Sequence, residues 1–203
     1  MKLRIGVLAL QGDFEAHRRM LASLGAEATE VRTVPQLDGL DGLVIPGGES
    51  TTISMGMERE GLDEAIRSYH RDGGPIFGSC AGMIVCDRGH LGLADYLCRR
   101  NAFGRQLQSF EEDLRIAGLG DEPLRAVFIR APWIEEHGPD VDVLASVDGH
   151  PVVVRQAQVV LSAFHPELTD DSRLHAFLMA LATAAREERD ARSRAQAARD
   201  ADE

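Results

Sequence analysis

The apolar residues fall into two kinds of pattern. Short continuous runs, Leu3–Leu10 (interrupted by Arg4), Leu43–Ile45 and Pro75–Phe77, read as strands buried on both faces. Between them lie segments of helical spacing. Phe14 to Leu24 places Phe14, Leu21 and Leu24 on one side, with His17 between them. Asp13 is a suitable N-cap for that helix and Gly25 a suitable stop. Glu27–Val31 reads as a second strand, and a helix from about Thr51 to Tyr69 is interrupted near Gly61. After Pro75–Phe77 a further helix begins at Ala81. Strand, helix, strand, strand, helix, strand, helix is the α/β pattern. It predicts a three-layer fold, a mixed and mostly parallel sheet flanked by helices. Functional sites in such sheets form beyond the carboxyl ends of strands. Gln11-Gly12, Gly47-Gly48 and Ser79-Cys80 all lie there and are expected to converge.

The pattern changes in the second half. Residues 86–122 read as loop-rich. Leu124–Ile129, Val141–Val147, Pro151–Arg155 and Gln158–Ala163 read as short strands separated by turns such as Asp148-Gly149, an antiparallel addition to the sheet. Thr169 or Asp170 is expected to cap a last helix with Leu174, Phe177, Leu178 and Leu181 at core spacing. From Arg186 onward large apolar residues cease. The expectation is one domain, 1–185, followed by a charged tail, 186–203, that is a frayed helix or disordered.

Composition narrows the function classes. A chain of 203 residues with 44% hydrophobic and 27% charged residues has the make-up of an ordinary globular domain. Its formal charge of −11 disfavours nucleic acid and anionic membranes as partners. Cys80, Cys86 and Cys98 form no C-x-x-C pair, which argues against a disulfide framework or a structural zinc site and fits a reducing cytoplasm. The N-terminal apolar run is too short for a secretion signal, and no run has the length of a membrane span.

The candidate chemistry centres on Phe77-Gly78-Ser79-Cys80-Ala81-Gly82. A cysteine flanked by glycines two residues away on either side, between a strand and a helix, is the thiol version of a nucleophile elbow. The turn is too sharp for neighbouring Cβ atoms, and the helix N-terminus favours a thiolate. The bland alternative is a buried cysteine beside a glycine-rich turn. A thiol nucleophile needs a base. His165 follows the apolar run Val159–Phe164, and Pro166 biases it to extended backbone. Glu167 then projects to the same side and can orient the imidazole. A surface His-Pro-Glu turn is the alternative there. Gly47-Gly48 and the Ala81 N–H can supply an oxyanion hole. Arg105 and Arg130 could hold a charged substrate end, or could each pair with an acid. The constellation needs no metal and no organic cofactor.

Five segments carry a resemblance: Pro46-Gly47-Gly48-Glu49-Ser50-Thr51-Thr52, the elbow, Arg100-Asn101-Ala102-Phe103-Gly104-Arg105-Gln106, Phe128-Ile129-Arg130-Ala131-Pro132 and Phe164-His165-Pro166-Glu167-Leu168-Thr169. In order, over about residues 3–180, they resemble the glutaminase subunits of pyridoxal 5′-phosphate synthase, which are class I (triad) glutamine amidotransferases of flavodoxin-like fold. The resemblance implies hydrolysis of L-glutamine to glutamate and ammonia for vitamin B6 synthesis. It implies Cys80 as nucleophile, His165 and Glu167 as the rest of the triad, and Gly48 and Ala81 as oxyanion donors. It implies that Gly48, Glu49, Ser50, Arg105, Ile129 and Arg130 contact glutamine. It also implies a partner, a (β/α)8 synthase subunit, in an assembly of twelve glutaminases on twelve synthase subunits, with Gln11-Gly12 near the interface. Ser79 replaces the more usual threonine, and Val85–Gly92 is shorter and more polar than the family pattern. Three alternatives remain at this level: a thiol hydrolase for another acyl substrate, an amidotransferase for another acceptor such as imidazole glycerol phosphate synthesis, and a noncatalytic interaction subunit.

Overall fold

The computed structural model describes residues 1–103 and 109–201. The first half alternates β1 (Arg4–Leu8), α1 (Phe14–Ser23), β2 (Glu27–Val31), β3 (Gly42–Ile45), α2 (Ser50–Glu60), α3 (Leu62–Arg71), β4 (Ile76–Ser79) and α4 (Ala81–Cys86). The second half holds β5 (Tyr96–Arg99), β6 (Ser109–Leu114), β7 (Leu124–Ile129), β8 (Trp133–His137), β9 (Asp142–Val147), β10 (His150–Gln156), β11 (Val159–Ser162) and α5 (Arg173–Ala201).

Seven strands form one sheet in the order β2-β1-β3-β4-β11-β10-β9. The pairs from β2 through β11 are parallel, and β10 and β9 are antiparallel additions. This is the mixed, mostly parallel sheet that the apolar runs predict. β1, β3, β4 and β11 each carry a fully buried run of Val, Ile, Leu or Phe, as strands covered on both faces must. Successive residues of a strand face opposite ways. On β4, Phe77 meets the rings of His17 on α1 and His175 on α5, while Gly78 abuts Gly82 on α4. Thus α1 and α5 cover one face and α4 the other.

Two short ribbons, β5–β8 and β6–β7, stand beside the main sheet. An aromatic cluster ties the second ribbon to the end of β11. Phe110 stacks on Phe128 with centroids 4.5 Å apart, and Phe128 packs on Phe164 at 5.4 Å. This fixes the end of β7, and with it Ile129 and Arg130, next to His165. The His165 N–H donates to the Val127 carbonyl at 3.0 Å.

Three features differ from the sequence reading. The stretch 86–122, read as loop-rich, contains β5 and β6; β6 (SFEEDL) is mostly exposed and lacks the apolar signature of a buried strand. β8 (WIEEH) escapes for the same reason. The last helix starts at Arg173. Its first turn is held by Asp171, whose Oδ1 accepts from the Arg173 N–H at 3.0 Å, after a 3-10 turn over Pro166–Leu168. Thr169 instead accepts from the Asp171 N–H through its hydroxyl. α5 runs as helix to Ala201. Among the described residues no helix is long and apolar enough to cross a membrane.

The anchoring of α5 sets a limit on what its far end contributes. Arg186 and Arg189 pair with the buried Asp41 at 3.4 and 2.8 Å, whereas every residue from Asp190 to Asp200 is exposed. Truncation after Arg189 is expected to change unfolding free energy by less than about 0.5 kcal/mol in urea titrations. Truncation after Ala185 leaves the Asp41 carboxylate without either arginine and is expected to cost about 1–3 kcal/mol.

Candidate active site

Cys80 sits where β4 turns into α4, with φ 49° and ψ −106°. A non-glycine residue with positive φ is strained, and such strain persists only where the surroundings enforce it. Here the Cys80 N–H donates to Ser162 O at 2.8 Å, and the Cys80 carbonyl accepts from the Met83 N–H at 3.1 Å. Close packing of α4 on β3 completes the constraint. A Cβ on Gly82 would lie 2.0 Å from the Ile45 carbonyl oxygen, so only glycine allows the approach. Cys80 is almost covered, at 7% exposure, with Sγ 3.9 Å from the Ile129 carbonyl.

His165 stands at the end of β11, which is hydrogen-bonded to β4, so the two strands deliver base and thiol to the same place. The backbone of Gly47, beyond β3, passes against both. A Cβ there would be 2.5 Å from His165 Cε1 and 3.3 Å from Cys80 Cβ. His165 Nδ1 and Glu167 Oε1 are 2.7 Å apart. A carboxylate only accepts, so the hydrogen lies on Nδ1, which leaves Nε2 as the atom able to exchange a proton with the thiol. The Glu167 side chain is inaccessible to solvent. Burial pushes its carboxyl up, but the hydrogen bond from His165 and the His17 imidazole 3.2 Å from its other oxygen pull it further down, well below the usual carboxylate range. Burial likewise lowers His165, yet its contacts with Cys80 and Glu167 outweigh that and push it up to about 10. The arrangement favours an imidazolium beside the Glu167 carboxylate.

A cavity of about 390 Å³ opens on these groups. Its lining includes Gly48, Glu49, Ser50, Cys80, Ala81, Ile129, Arg130, His165 and Glu167, so these sequence-derived site residues come together. Arg105 lies outside the described residues. Glu49 has a structural task besides. It caps α2, accepting from the N–H groups of Thr51 and Thr52 at 3.1 and 2.8 Å. Those bonds, with the Thr52 hydroxyl, hold its carboxyl down at about 2. Arg100 Nη2 lies 3.0 Å from the same carboxylate. At the neighbouring strand end, Gln11 Oε1 accepts from the Glu49 N–H at 2.6 Å, which links β1 to the loop after β3. The expected meeting of Gln11-Gly12, Gly47-Gly48 and Cys80 is thus present.

Three residues of the neighbourhood escape the sequence reading. Arg100 lines the cavity just beyond β5, a strand of only four residues within a stretch that reads as loop. His17 and His175, read as surface or core, are both fully buried, and His17 Nε2 lies 3.2 Å from Glu167 Oε2. The available signal was their position: each histidine occupies the apolar side of its helix, beside Leu21 on α1 and Leu174 and Leu178 on α5. Among the described residues no group of three or more His, Cys, Asp or Glu side chains is arranged to hold a metal ion.

Known proteins share this arrangement of chain and fold. A pyridoxal 5′-phosphate synthase subunit PdxT from Niallia circulans is 49% identical over 191 residues, covering 91% of this chain and 100% of the relative. One from Mycolicibacterium vanbaalenii is 51% identical over 189 residues, covering 87% and 96%. A glutamine amidotransferase crystal structure superposes with a TM-score of 0.84 at 46% identity, covering 88% of this chain and 98% of the other. Residues 7–183 match the SNO glutamine amidotransferase family. With most of its length matched by that family and by relatives near half identity, the chain belongs to the SNO glutamine amidotransferases.

Proposed function

We propose that Cys80, His165 and Glu167 are the catalytic triad of a glutaminase subunit of pyridoxal 5′-phosphate synthase. The activity, L-glutamine hydrolysis, follows from family membership, and the subunit role from the relatives' names. The observation that carries the residue assignment is the 2.7 Å contact of His165 with buried Glu167 beside a strained Cys80 at the floor of one cavity.

The chemistry divides into two acyl transfers. The Cys80 thiolate attacks the side-chain amide carbon of glutamine, while His165 carries the proton that left the thiol. The N–H groups of Gly48 and Ala81 hold the oxyanion. His165 then protonates the departing nitrogen, ammonia leaves, and a γ-glutamyl thioester remains on Cys80. Water, deprotonated by His165, cleaves the thioester to glutamate and restores the thiol. Glu167 keeps the imidazole in one tautomer and offsets its charge throughout. Gly48, Glu49, Ser50, Arg105, Ile129 and Arg130 are assigned to glutamine. The cavity supports all but Arg105, which rests on the sequence resemblance alone. The ammonia passes to a synthase partner. Its (β/α)8 fold and the twelve-plus-twelve assembly likewise rest on the resemblance. Among the described residues no feature of the site favours a different acceptor or a noncatalytic role.

Ammonia release from glutamine, measured with and without the synthase partner, tests the reading. Cys80→Ala is expected to lower release by about 10⁴-fold or more while still binding the partner; glutaminase activity retained in that variant refutes the assignment. The pH dependence follows from His165. Because its folded value is raised from about 6.5 to about 10, the stability it contributes is fully present below pH 6.5 and is lost as pH rises through about 10. Wild type is therefore expected to lose more stability between pH 7 and 10 than Cys80→Ala, which lacks the contact with Cys80 that raises His165. Its glutaminase rate should fall on the alkaline side near pH 10, not near 6.5.

A further inference from the structure

Beneath the triad lies a buried polar chain that the reaction as described does not use. His17 on α1 reaches three groups from three other elements. Its Nδ1 is 2.8 Å from His175 Nε2 on α5, and its Nε2 is 3.1 Å from Ser79 Oγ and 3.2 Å from Glu167 Oε2. The side chains of His17 and Glu167 have no solvent exposure, and Ser79 and His175 are fully buried. Phe77 packs edge-on against both imidazoles, with centroids 6.2 and 5.6 Å away.

The hydrogens can be placed by elimination. His175 Nδ1 is buried with no hydrogen-bond partner. A bare ring nitrogen there costs less than a stranded N–H, so the His175 hydrogen lies on Nε2. Burial first, and then His17, push His175 down to about 3, which keeps it neutral. His175 Nε2–H therefore donates to His17 Nδ1. The hydrogen of His17 is thereby placed on Nε2, the atom shared between Ser79 Oγ and Glu167 Oε2. The Oε2 oxygen is buried with no aligned hydrogen-bond donor, and His17 Nε2, 3.2 Å away, is the group that faces its charge.

We propose that His17 is a positioning residue of the glutaminase: its protonated Nε2 edge, 3.2 Å from the otherwise unpartnered far oxygen of Glu167, offsets the charge there so that the near oxygen stays committed to His165, and His175 fixes the tautomer of His17 that makes this possible. The inference rests on the assignment of Cys80, His165 and Glu167 above. It extends the chain of contacts from Cys80 through His165, Glu167 and His17 to His175, which crosses from the cavity to the helix layer on the far side of β4. Loss of the His17 donor frees Glu167 to turn. His165 then spends less time aligned with the thiol, while the cavity that receives glutamine is untouched.

The test compares His17→Leu, His17→Gln and His175→Leu with wild type and Cys80→Ala, each as the complex with the synthase partner. Readouts are kcat and KM for glutamine, and thermal unfolding of the glutaminase. Leucine keeps the bulk and removes the donor; the glutamine amide N–H can occupy the place of Nε2–H. His17→Leu is expected to lower kcat by about 10- to 100-fold with KM little changed, the size seen when a group orienting a functional ligand from behind is lost. His17→Gln should recover most of that loss. His175→Leu should lower kcat by a smaller factor. A purely structural His17 would lower the melting temperature without this kcat-specific loss or the selective rescue by glutamine. Folded His17→Leu with wild-type kcat overturns the proposal, as does folded His17→Gln as slow as His17→Leu. If His17→Leu fails to fold, His175→Leu decides: wild-type kcat in that variant overturns it. A wild-type complex that releases no ammonia from glutamine instead defeats the glutaminase reading. An active wild type with inactive Cys80→Ala and unimpaired His17 variants defeats this inference alone.

Discussion

A carboxylate enclosed at the edge of an apolar core is the constraint on which the site depends. An ionised Glu167 without solvent would be prohibitively costly unless hydrogen-bond donors and positive charge face it. His165 supplies one such contact at 2.7 Å and His17 approaches the other oxygen. The cost of burying the charge is thereby turned into orientation. Glu167 cannot relax into water, so the imidazole beside it is held in one orientation, with Nδ1 on the carboxylate and Nε2 left for Cys80. The same reasoning accounts for the raised value of His165, which contacts Cys80 on one side and the Glu167 carboxylate on the other.

The fold serves this constraint by register. β4 and β11 are adjacent and parallel, with Ser79 opposite Ser162. The next residues on each strand therefore carry Cys80 and, three further along, His165 into one volume. The loop after β3 closes it because β3 pairs with β4 on the other side. The aromatic stack of Phe110, Phe128 and Phe164 then pins Ile129 and Arg130 at the rim. Glu49 caps α2 and also faces Arg100, so the cavity wall and a helix terminus share one carboxylate.

Much of this was legible in the chain because it depends on local signals. The buried strands of the parallel region are unbroken apolar runs, and the glycines at 78 and 82 mark a turn that only a strained residue can occupy. The Cys80 and His165 positions could be read from strand ends, whereas Glu167 reaches His165 through the 3-10 turn over Pro166–Leu168 and not through the extended i, i+2 alternation that the sequence suggested. What escaped has no local signature. β6 and β8 are half-polar ribbons whose pairing is decided by partners far along the chain. Arg100 reaches the cavity only because β5 pairs with β8. His17 and His175 are 158 positions apart, and single histidines on apolar helix faces do not announce that they will touch. The start of α5 lies later than Thr169 or Asp170 suggests, because the Thr169 hydroxyl is taken by the Asp171 N–H and it is Asp171 that accepts from the first helical N–H, that of Arg173.

The central claim is that a single thiol, Cys80, attacks the glutamine side chain. Incubation with an electrophilic glutamine analogue, followed by intact-mass measurement and peptide mapping, tests it directly. One adduct per chain, located on Cys80 and prevented by excess L-glutamine, is the predicted result. Labelling at Cys86 or Cys98 instead, or an adduct that glutamine does not prevent, would contradict the account.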